Sequence, residues 1–222
     1  ARAQAVTPLF VRTAAEIAAA LPRVLAHLES DRLIAYPTET VYGFGGAITP
    51  LAMAALRELK QREAVKPFLL LVYGPDQAPG VQWTEASRAI ALRFWPGPLT
   101  LALPAERSAF PEGVTSRDGT VALRASPHPF VRALTAAWGG PISSTSANAP
   151  RTRPARDCPA VLAALEDLDA ADVLVLDGGE LPESASSTIL AVEDHTARVL
   201  RAGAVATEDL RNQLSGIGID VR

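Results

Sequence analysis

Alternating hydroxyl groups mark residues 34–46, which read IAYPTETVYGFGG. The stretch starts as a strand, and alternate side chains of an extended chain share one face. Thr38, Thr40 and Tyr42 would therefore form a polar wall, with Glu39 on the opposite face. The glycines that follow would let the backbone approach a ligand or bend sharply. A ligand-binding strand end and a plain strand followed by a glycine-rich turn both fit this pattern.

Cations form a second group, in the segment ELKQREAVKP. Lys60, Arg62 and Lys66 suit a phosphate chain, since Arg binds oxygen pairs as a fork and Lys acts as a point charge. Residues two apart on a continuous helix point about 200° apart, so Lys60 and Arg62 face one ligand only if the helix ends near Gln61. The alternative is a basic helix C-terminus that complements the helix dipole.

A third polar group lies in residues 142–148, which read ISSTSAN. Ser144, Ser146 and Asn148 share one face if this segment is extended. Open α/β sheets bind ligands outside the carboxyl ends of their strands, and such a strand end would suit that purpose. The alternative is a polar strand end whose side chains satisfy their own backbone.

Three further polar residues stand at predicted strand ends. Arg124 ends the run VALR, Ser187 precedes Thr188 and the apolar residues 189–192, and Arg201 ends the run VLR. Each position alone carries little information. Together with the groups above, they put hydroxyls and cations at several separate strand ends, which predicts a shared ligand cleft.

Apolar runs of strand length alternate with helical patterns along the chain. Capping residues such as Thr13 and Thr49 mark helix starts. Helices are expected over residues 13–29, 49–59, 84–94, 128–138, 159–165 and 207–214, and strands over residues 31–36, 68–72, 99–103, 121–125, 142–145, 173–176, 188–192 and 198–200. Residues 148–156, rich in Pro and Arg, are expected to form a mobile loop. The pattern predicts an α/β fold with a buried, mixed sheet.

Composition excludes several classes of protein. The 222 residues, 48% hydrophobic, are expected to form a single domain over residues 1–222. A formal net charge of −3 gives no support to nucleic-acid binding. Cys158 is the single cysteine, which excludes an internal disulfide and a cysteine-based zinc cluster and fits a reducing cytoplasm. No apolar run reaches about 18 residues, so no membrane span is expected.

Familiar catalytic motifs are missing from the sequence. It contains no P-loop motif, no dinucleotide-binding glycine fingerprint and no nucleophile elbow. His27, His128 and His195 are far apart and lack metal-ligand spacing, so packing or surface roles are expected for them.

These polar groups, taken together, resemble the YrdC/Sua5 family, the threonylcarbamoyl-AMP synthases that begin tRNA N6-threonylcarbamoyladenosine synthesis. The similar stretches are YPTETVYGFG, LKQR with the later KP, FWPGPLTL, VALRASPHP, STSAN, the Ser187–Thr188 pair and VLRAGAV, in the family's order over residues 35–205. The resemblance implies a twisted mixed-sheet YrdC-like fold with a large concave ligand-binding face. Its core would cover residues 10–205, followed by a C-terminal helix at residues 207–214.

The resemblance also implies a reaction. L-threonine, bicarbonate or CO2, and ATP with Mg2+ would give threonylcarbamoyl-AMP and pyrophosphate, and a downstream threonylcarbamoyl transferase and tRNA would be indirect partners. No membrane partner and no protein-bound metal are implied. By similarity, the L-threonine contacts are Thr40, Arg124, Ser144 and Ser187, and the nucleotide contacts are Lys60, Arg62, Lys66, Thr120, Ser146, Asn148 and Arg201, with Lys60 and Arg62 as the catalytic cations.

The sequence departs from the family pattern at a few positions. Leu71 stands where many members have His, and Ala202 replaces a usual Pro. Ala149, Pro150 and Pro154 stand where many members have a Ser-Gly pair and a later Ser. The second domain of longer Sua5 proteins is not expected in this chain.

Two alternatives remain beside this interpretation. A carbamoyl-adenylate-forming relative would usually carry zinc-finger domains, which the single cysteine disfavours. A double-stranded RNA-binding module that uses the concave face is disfavoured by the small net charge and the lack of stacking aromatics.

Overall fold

The computed structural model describes residues 7–61, 67–168, 170 and 172–222, in which strands and helices alternate. Among these residues, the α-helices are α1 (Ala14–Glu29), α2 (Pro50–Leu59), α3 (Glu85–Phe94), α4 (Pro129–Trp138), α5 (Cys158–Asp167) and α6 (Thr207–Ser215). The strands are β1 (Leu9–Phe10), β2 (Ile34–Pro37), β3 (Tyr42–Gly45), β4 (Leu69–Leu71), β5 (Leu99–Pro104), β6 (Thr120–Arg124), β7 (Ile142–Ser146), β8 (Leu174–Asp177), β9 (Thr188–Glu193), β10 (Thr196–Arg201) and β11 (Asp220–Val221).

The strands form one sheet in the order β1-β8-β2-β3-β7-β4-β6-β5-β9-β10-β11. Its centre, β2-β3-β7-β4, is antiparallel, whereas β8 pairs with β2, β6 with β4, and β9 with β5 in parallel. One sheet thus contains both antiparallel and parallel pairs, and helices connect many of its strands. The prediction of an α/β fold with a mixed sheet is confirmed.

Local signals placed the helix ends correctly. The Thr13 hydroxyl accepts from the Glu16 amide, and the Glu16 carboxylate accepts from the Thr13 amide, which completes the capping box at the start of α1. The Thr49 hydroxyl accepts from the Ala52 amide at the start of α2. Gly139 ends α4 with a φ of 74°, a left-handed conformation that favours glycine.

Three strands were not expected from the sequence: β1, β3 and β11. Glycine lowers strand propensity, so Gly43 and Gly45 made β3 look like a turn. A Cβ on Gly45 would lie 1.8 Å from the carbonyl oxygen of Ser143, so glycine is what lets β3 lie against β7. The other two strands are two residues long and depend on their partners β8 and β10.

The two faces of the sheet are covered differently. Leu70 belongs to a large apolar cluster with residues of α2, α3, α5 and α6, and its neighbour Leu71 belongs to a smaller cluster with residues of α1 and α4. Because neighbouring strand residues point to opposite faces, these clusters lie on opposite sides of the sheet. The second face carries α1 and α4 near β1, β8, β2 and β4. Over β6, β5 and β9, this face lines an open cavity.

Within the residues that the structure describes, no helix combines the length and apolar character needed to cross a bilayer.

Candidate functional site

The open cavity has a volume of about 560 Å³ and is lined by alternate residues of neighbouring strands. Ala102 on β5 and Ala122 on β6 face the cavity, whereas the intervening Leu101 and Leu123 pack into the large apolar cluster. Small side chains at the cavity positions leave space that leucine would fill. The strand period of two therefore produces both a packed face and a hollow face.

Most of the predicted site residues meet in this cavity, although the sequence separates them widely. Those that line it are Thr40, Thr120, Arg124, Ser144, Ser146, Ser187 and Arg201. Lys60 and Asn148 contact its wall at Ser146. Arg62 and Lys66 lie outside the described residues.

Residues between β2 and β3 form a tight turn, so the predicted extended conformation is wrong, although Thr38, Thr40 and Tyr42 all line the cavity. The Thr38 amide donates to the Val41 carbonyl oxygen at 3.2 Å, and the Thr38 hydroxyl accepts from the amides of Thr40 and Val41. The hydroxyls of Thr38 and Thr40 lie 3.1 Å apart. The Tyr42 hydroxyl instead donates to the Gly179 carbonyl oxygen at 2.7 Å. Hydrogen bonds between the Thr38 hydroxyl and the neighbouring backbone stabilise this turn, although the sequence has no turn dipeptide here.

Arg124, at the carboxyl end of β6, is the most buried cation of the cavity wall. Its side chain is 5% exposed, and its Nη1 forms an ion pair with Glu39, whose side chain is 17% exposed. The second carboxylate oxygen of Glu39 accepts from the Ser126 hydroxyl at 2.5 Å. A buried charge needs such a partner, since removing it from water costs several kcal/mol. The turn therefore places Glu39 in contact with Arg124, which is 85 residues away in the sequence.

Ser187 and Arg201 lie together at the other edge of the cavity. The Ser187 hydroxyl is 2.8 Å from the Thr100 hydroxyl, and Arg201 Nη2 donates to the Ser187 carbonyl oxygen at 2.8 Å. Arg201 is exposed as a whole, but partial desolvation of its guanidinium group lowers its pKa, and the charge of Arg124 lowers it further. Two guanidinium groups thus act on one cavity, which favours an anionic ligand.

Lys60 caps the carboxyl end of α2 and lies against the S-x-N segment. Its Nζ donates to the carbonyl oxygens of Ser146 and Asn148 at 2.9 and 2.7 Å, and to Asn148 Oδ1 at 2.9 Å. Gln61 has a φ of 44°, so the helix ends near Gln61, which is the condition under which Lys60 and Arg62 could face one ligand. Lys60 therefore ties α2 to the end of β7, and its predicted phosphate contact stays a prediction.

A carboxylate also lines the cavity. Asp118 accepts from the hydroxyls of Ser116 and Thr120, and the latter hydrogen bond is 3.0 Å long. These hydrogen bonds, with that of Ser116 as the larger cause, lower the pKa of Asp118. Among the described residues that line the cavity, Asp118 carries the only carboxyl group.

Several polar cavity residues were not predicted as site residues. They are Thr100, Ser116, Asp118, Thr145, Ser184 and Ser186. A usable signal existed for Thr100, because LTLAL alternates large and small side chains, as expected for a strand with one hollow face. Asp118 and Gly119 form a turn dipeptide before β6. This dipeptide predicts a loop, but it does not predict which residues Asp118 contacts in the fold.

The departures from the family pattern differ in their relation to the cavity. Leu71 is fully buried and packs with α1 and α4, so it replaces a polar side chain with core packing. Pro154 lines the cavity, whereas Ala149 is buried and does not line it. Residues 148–156 form an irregular loop, as expected. Its expected mobility stays a prediction.

Comparison with known proteins identifies the family. A family model that covers Sua5, YciO and YrdC proteins, described as "Telomere recombination", matches residues 26–203. The chain belongs to the Sua5/YciO/YrdC family. Every described residue that lines the cavity falls within the matched range.

Individual relatives of this Sua5/YciO/YrdC chain carry one name. The threonylcarbamoyl-AMP synthase of Bacillus subtilis (strain 168) is 32% identical over 203 residues, which cover 90% of this chain and 58% of the relative. The threonylcarbamoyl-AMP synthase of Marinobacter nauticus is 40% identical over 127 residues, which cover 56% of this chain and 67% of the relative. The chain thus spans little more than half the length of the Bacillus protein.

A solved structure of the family has the same fold. The crystal structure of P. abyssi Sua5 complexed with L-threonine matches with a TM-score of 0.81 and 27% sequence identity. The match covers 99% of this chain and 63% of the Sua5 chain. The Sua5/YciO/YrdC fold therefore extends over nearly the whole chain.

Proposed function

We propose that this chain is an L-threonylcarbamoyladenylate synthase, which forms threonylcarbamoyl-AMP and pyrophosphate from L-threonine, bicarbonate or CO2, and ATP. The observation that carries the proposal is the single cavity in which Arg124 and Arg201 face a wall of hydroxyl groups. The names of the relatives and the L-threonine complex of P. abyssi Sua5 support the same reaction. The product would serve tRNA modification through a separate threonylcarbamoyl transferase.

L-threonine would bind beside Arg124. A guanidinium group matches a carboxylate with two parallel hydrogen bonds, and burial strengthens that pairing. The hydroxyls of Thr40, Ser144 and Ser187 line the same cavity, and each of these residues is less than 10% exposed. They would receive the polar groups of the amino acid.

ATP would bind along the adjoining wall. Thr120, Ser146 and Arg201 line this wall, and Lys60 and Asn148 contact it at Ser146. Arg62 and Lys66 would add cations to the phosphate chain, as the resemblance implies. Ser144 and Ser146 lie two residues apart on β7, so the two substrates would be held side by side. Such proximity favours direct reaction.

Catalysis would rest on positioning and on charge stabilisation of the transition state. The amine of L-threonine would add to CO2 and lose a proton, which gives N-carboxy-threonine. A carbamate oxygen of this compound would attack the α-phosphorus of ATP, forming the new P–O bond as the bond to pyrophosphate breaks. Neither His nor Cys occurs among the described residues that line the cavity. Burial raises the pKa of the Cys158 thiol to about 11, so it stays protonated near neutral pH. A covalent enzyme intermediate is therefore not expected.

Mg2+ would enter with ATP as the magnesium–nucleotide complex. Within the described part of the chain, no three His, Cys, Asp or Glu residues cluster as metal ligands, and Asp118 is the sole carboxylate of the cavity lining there. Mg2+ is commonly held by phosphates and one or two carboxylates. This donor set does not amount to a protein metal site, so we assign no metal ligand and derive no step through the ion.

The test is release of pyrophosphate from ATP by the purified chain. Pyrophosphate should appear only when L-threonine, bicarbonate and ATP are all present, and the mass of the protein should not change. Release from ATP alone, with a matching mass increase, would contradict the direct mechanism. Absence of turnover together with salt-sensitive binding of double-stranded RNA would instead favour an RNA-binding module.

A further inference from the structure

The guanidinium group of Arg124 uses only part of its hydrogen-bonding capacity within the described protein. Glu39 accepts from Nη1, at the end of the side chain. The Nε atom is buried and has no hydrogen-bond partner among the described residues. Leaving a buried donor unpaired is costly, and native structures rarely do so without a reason.

The unpaired Nε belongs to a defined edge of the guanidinium group. An arginine presents Nε and Nη2 side by side as a fork that matches the two oxygens of a carboxylate. Glu39 occupies Nη1, and the protein closes Nε off from solvent. Nη2 is not among the buried unpaired atoms of the described residues, so it is the donor that Arg124 offers to a ligand in the cavity that it lines.

Glu39 is itself held in place from two sides. Its Oε2 accepts from the Ser126 hydroxyl at 2.5 Å, and the Ser126 hydroxyl oxygen in turn accepts from the His128 amide at 3.2 Å. Ser126 is fully buried. The Thr38 turn fixes the backbone on the other side of Glu39. Glu39 is therefore anchored before any ligand arrives.

We propose that Glu39 is a positioning residue that holds Arg124 by Nη1 and so presents its Nη2 group to the carboxylate of the amino-acid substrate. The inference rests on the proposed function for the nature of the ligand. Glu39 also offsets one of the two positive charges that Arg124 and Arg201 place around the cavity. It contributes by orienting Arg124 and does not itself contact the substrate.

The first test is calorimetric titration of L-threonine into the wild type, Glu39→Gln and Ser126→Ala. Glutamine keeps an acceptor but loses the charge, so affinity for L-threonine should fall about tenfold, with ATP affinity unchanged. Ser126→Ala removes one anchor of Glu39, and a fall of about threefold is expected. The matched control is Glu112→Gln, which removes an exposed ion-paired carboxylate outside the cavity lining and should have no effect.

A second measurement reports on Arg124 without catalysis. In the free wild type, the Nε–H signal of Arg124, assigned by its loss in Arg124→Lys, should exchange slowly with solvent. It should exchange faster in Glu39→Gln and shift when L-threonine is added to the wild type. Thermal unfolding of each variant shows whether a change in affinity reflects loss of the fold.

The outcomes separate the two proposals. Unchanged or tighter L-threonine binding in a folded Glu39→Gln variant, with unchanged Nε–H exchange, would overturn the role of Glu39. Failure of the wild type to bind L-threonine would overturn the proposed function and the identity of the ligand. The holding of Arg124 by Glu39 would then be decided by the exchange rate alone.

Discussion

At the scale of the residue, the cavity depends on cations that are held before a ligand binds. Arg124 is paired with Glu39, and Arg201 with the Ser187 carbonyl oxygen. Both side chains have lost much of their rotational freedom to these contacts. Binding a ligand would therefore cost less side-chain entropy than binding it to freely rotating arginines.

Arg124→Lys tests the need for a fork at this position. Lysine keeps the charge but cannot offer two parallel donors, so L-threonine affinity should fall at least about tenfold while ATP affinity stays unchanged. Calorimetric titration of each ligand measures both effects. Arg12→Lys, which alters an arginine paired with Asp177 outside this cavity, is the control. Unchanged L-threonine affinity with weaker ATP binding would assign Arg124 to the nucleotide instead.

At the scale of the element, the ends of α2 and β7 form one unit through Lys60. The ammonium group binds three oxygens of the S-x-N segment, one of them the Asn148 side chain. The Ser146 hydroxyl also donates to Asn148 Oδ1 at 2.6 Å. The predicted nucleotide contacts thus depend on a cation that shapes the loop around them.

Lys60→Met should therefore lower both stability and nucleotide affinity. Losing hydrogen bonds from a charged donor should reduce the free energy of unfolding by about 2 kcal/mol. Urea unfolding measures the first effect, and titration with ATP measures the second. Arg93→Met, at the exposed end of α3, controls for loss of a surface cation. A stable variant with normal ATP affinity would show that this contact is dispensable.

The start of α4 carries a pH-dependent cap. His128 Nδ1 accepts from the Phe130 amide at 3.2 Å, which requires a neutral ring. Burial lowers the pKa of His128 to about 4, from 6.5 in an unfolded chain. Between these values the unfolded state binds more protons than the folded state. The contribution of neutral His128 to the free energy of unfolding is therefore fully present above pH 6.5 and is lost as the pH decreases towards 4. Below pH 4 this contribution changes no further.

His128→Asn tests this contribution. Asparagine can cap the helix but does not titrate in this range. The variant should lose less stability than the wild type between pH 6.5 and pH 4, by about 1–3 kcal/mol. Urea unfolding across this range gives the comparison. Identical pH profiles would show that His128 is not a source of acid sensitivity.

At the scale of the whole molecule, the sheet separates packing from binding. One face of the sheet carries α2, α3, α5 and α6. The opposite face is covered by α1 and α4 at one end and lines the cavity at its other end. The strands β3 and β7 join the β2 side of the sheet to the β4 side and both line the cavity. Their spacing therefore affects the fold and the site together.

Gly45→Ala tests that spacing. An added Cβ would meet the Ser143 carbonyl oxygen at 1.8 Å, so β3 and β7 must move apart. The free energy of unfolding should fall by about 3 kcal/mol or more. Gly74→Ala is the matched control, because its Cβ would meet nothing within 4 Å. Chemical unfolding measures the stability of both variants. Equal free energies of unfolding would contradict the close packing of β3 against β7.

The sequence by itself determined the helices, most strands and much of the cavity lining. Thr13, Thr49 and Thr84 predicted helix starts because a capping hydrogen bond joins residues only three apart. Apolar runs of strand length predicted β5 and β6 for the same reason, and the alternation in LTLAL is a further local signal that was not used. Such interactions are encoded within a few residues and can be read without the fold.

Only the tertiary structure decided the reversal of the chain at Thr38 and the partners of the charged side chains. Glu39 meets Arg124 across 85 residues, and Lys60 meets Ser146 across 86. These contacts depend on the strand order β2-β3-β7-β4-β6, which no local signal specifies. Residues far apart in the sequence become neighbours only when the sheet pairs, so the geometry of the cavity follows from pairing and not from propensity.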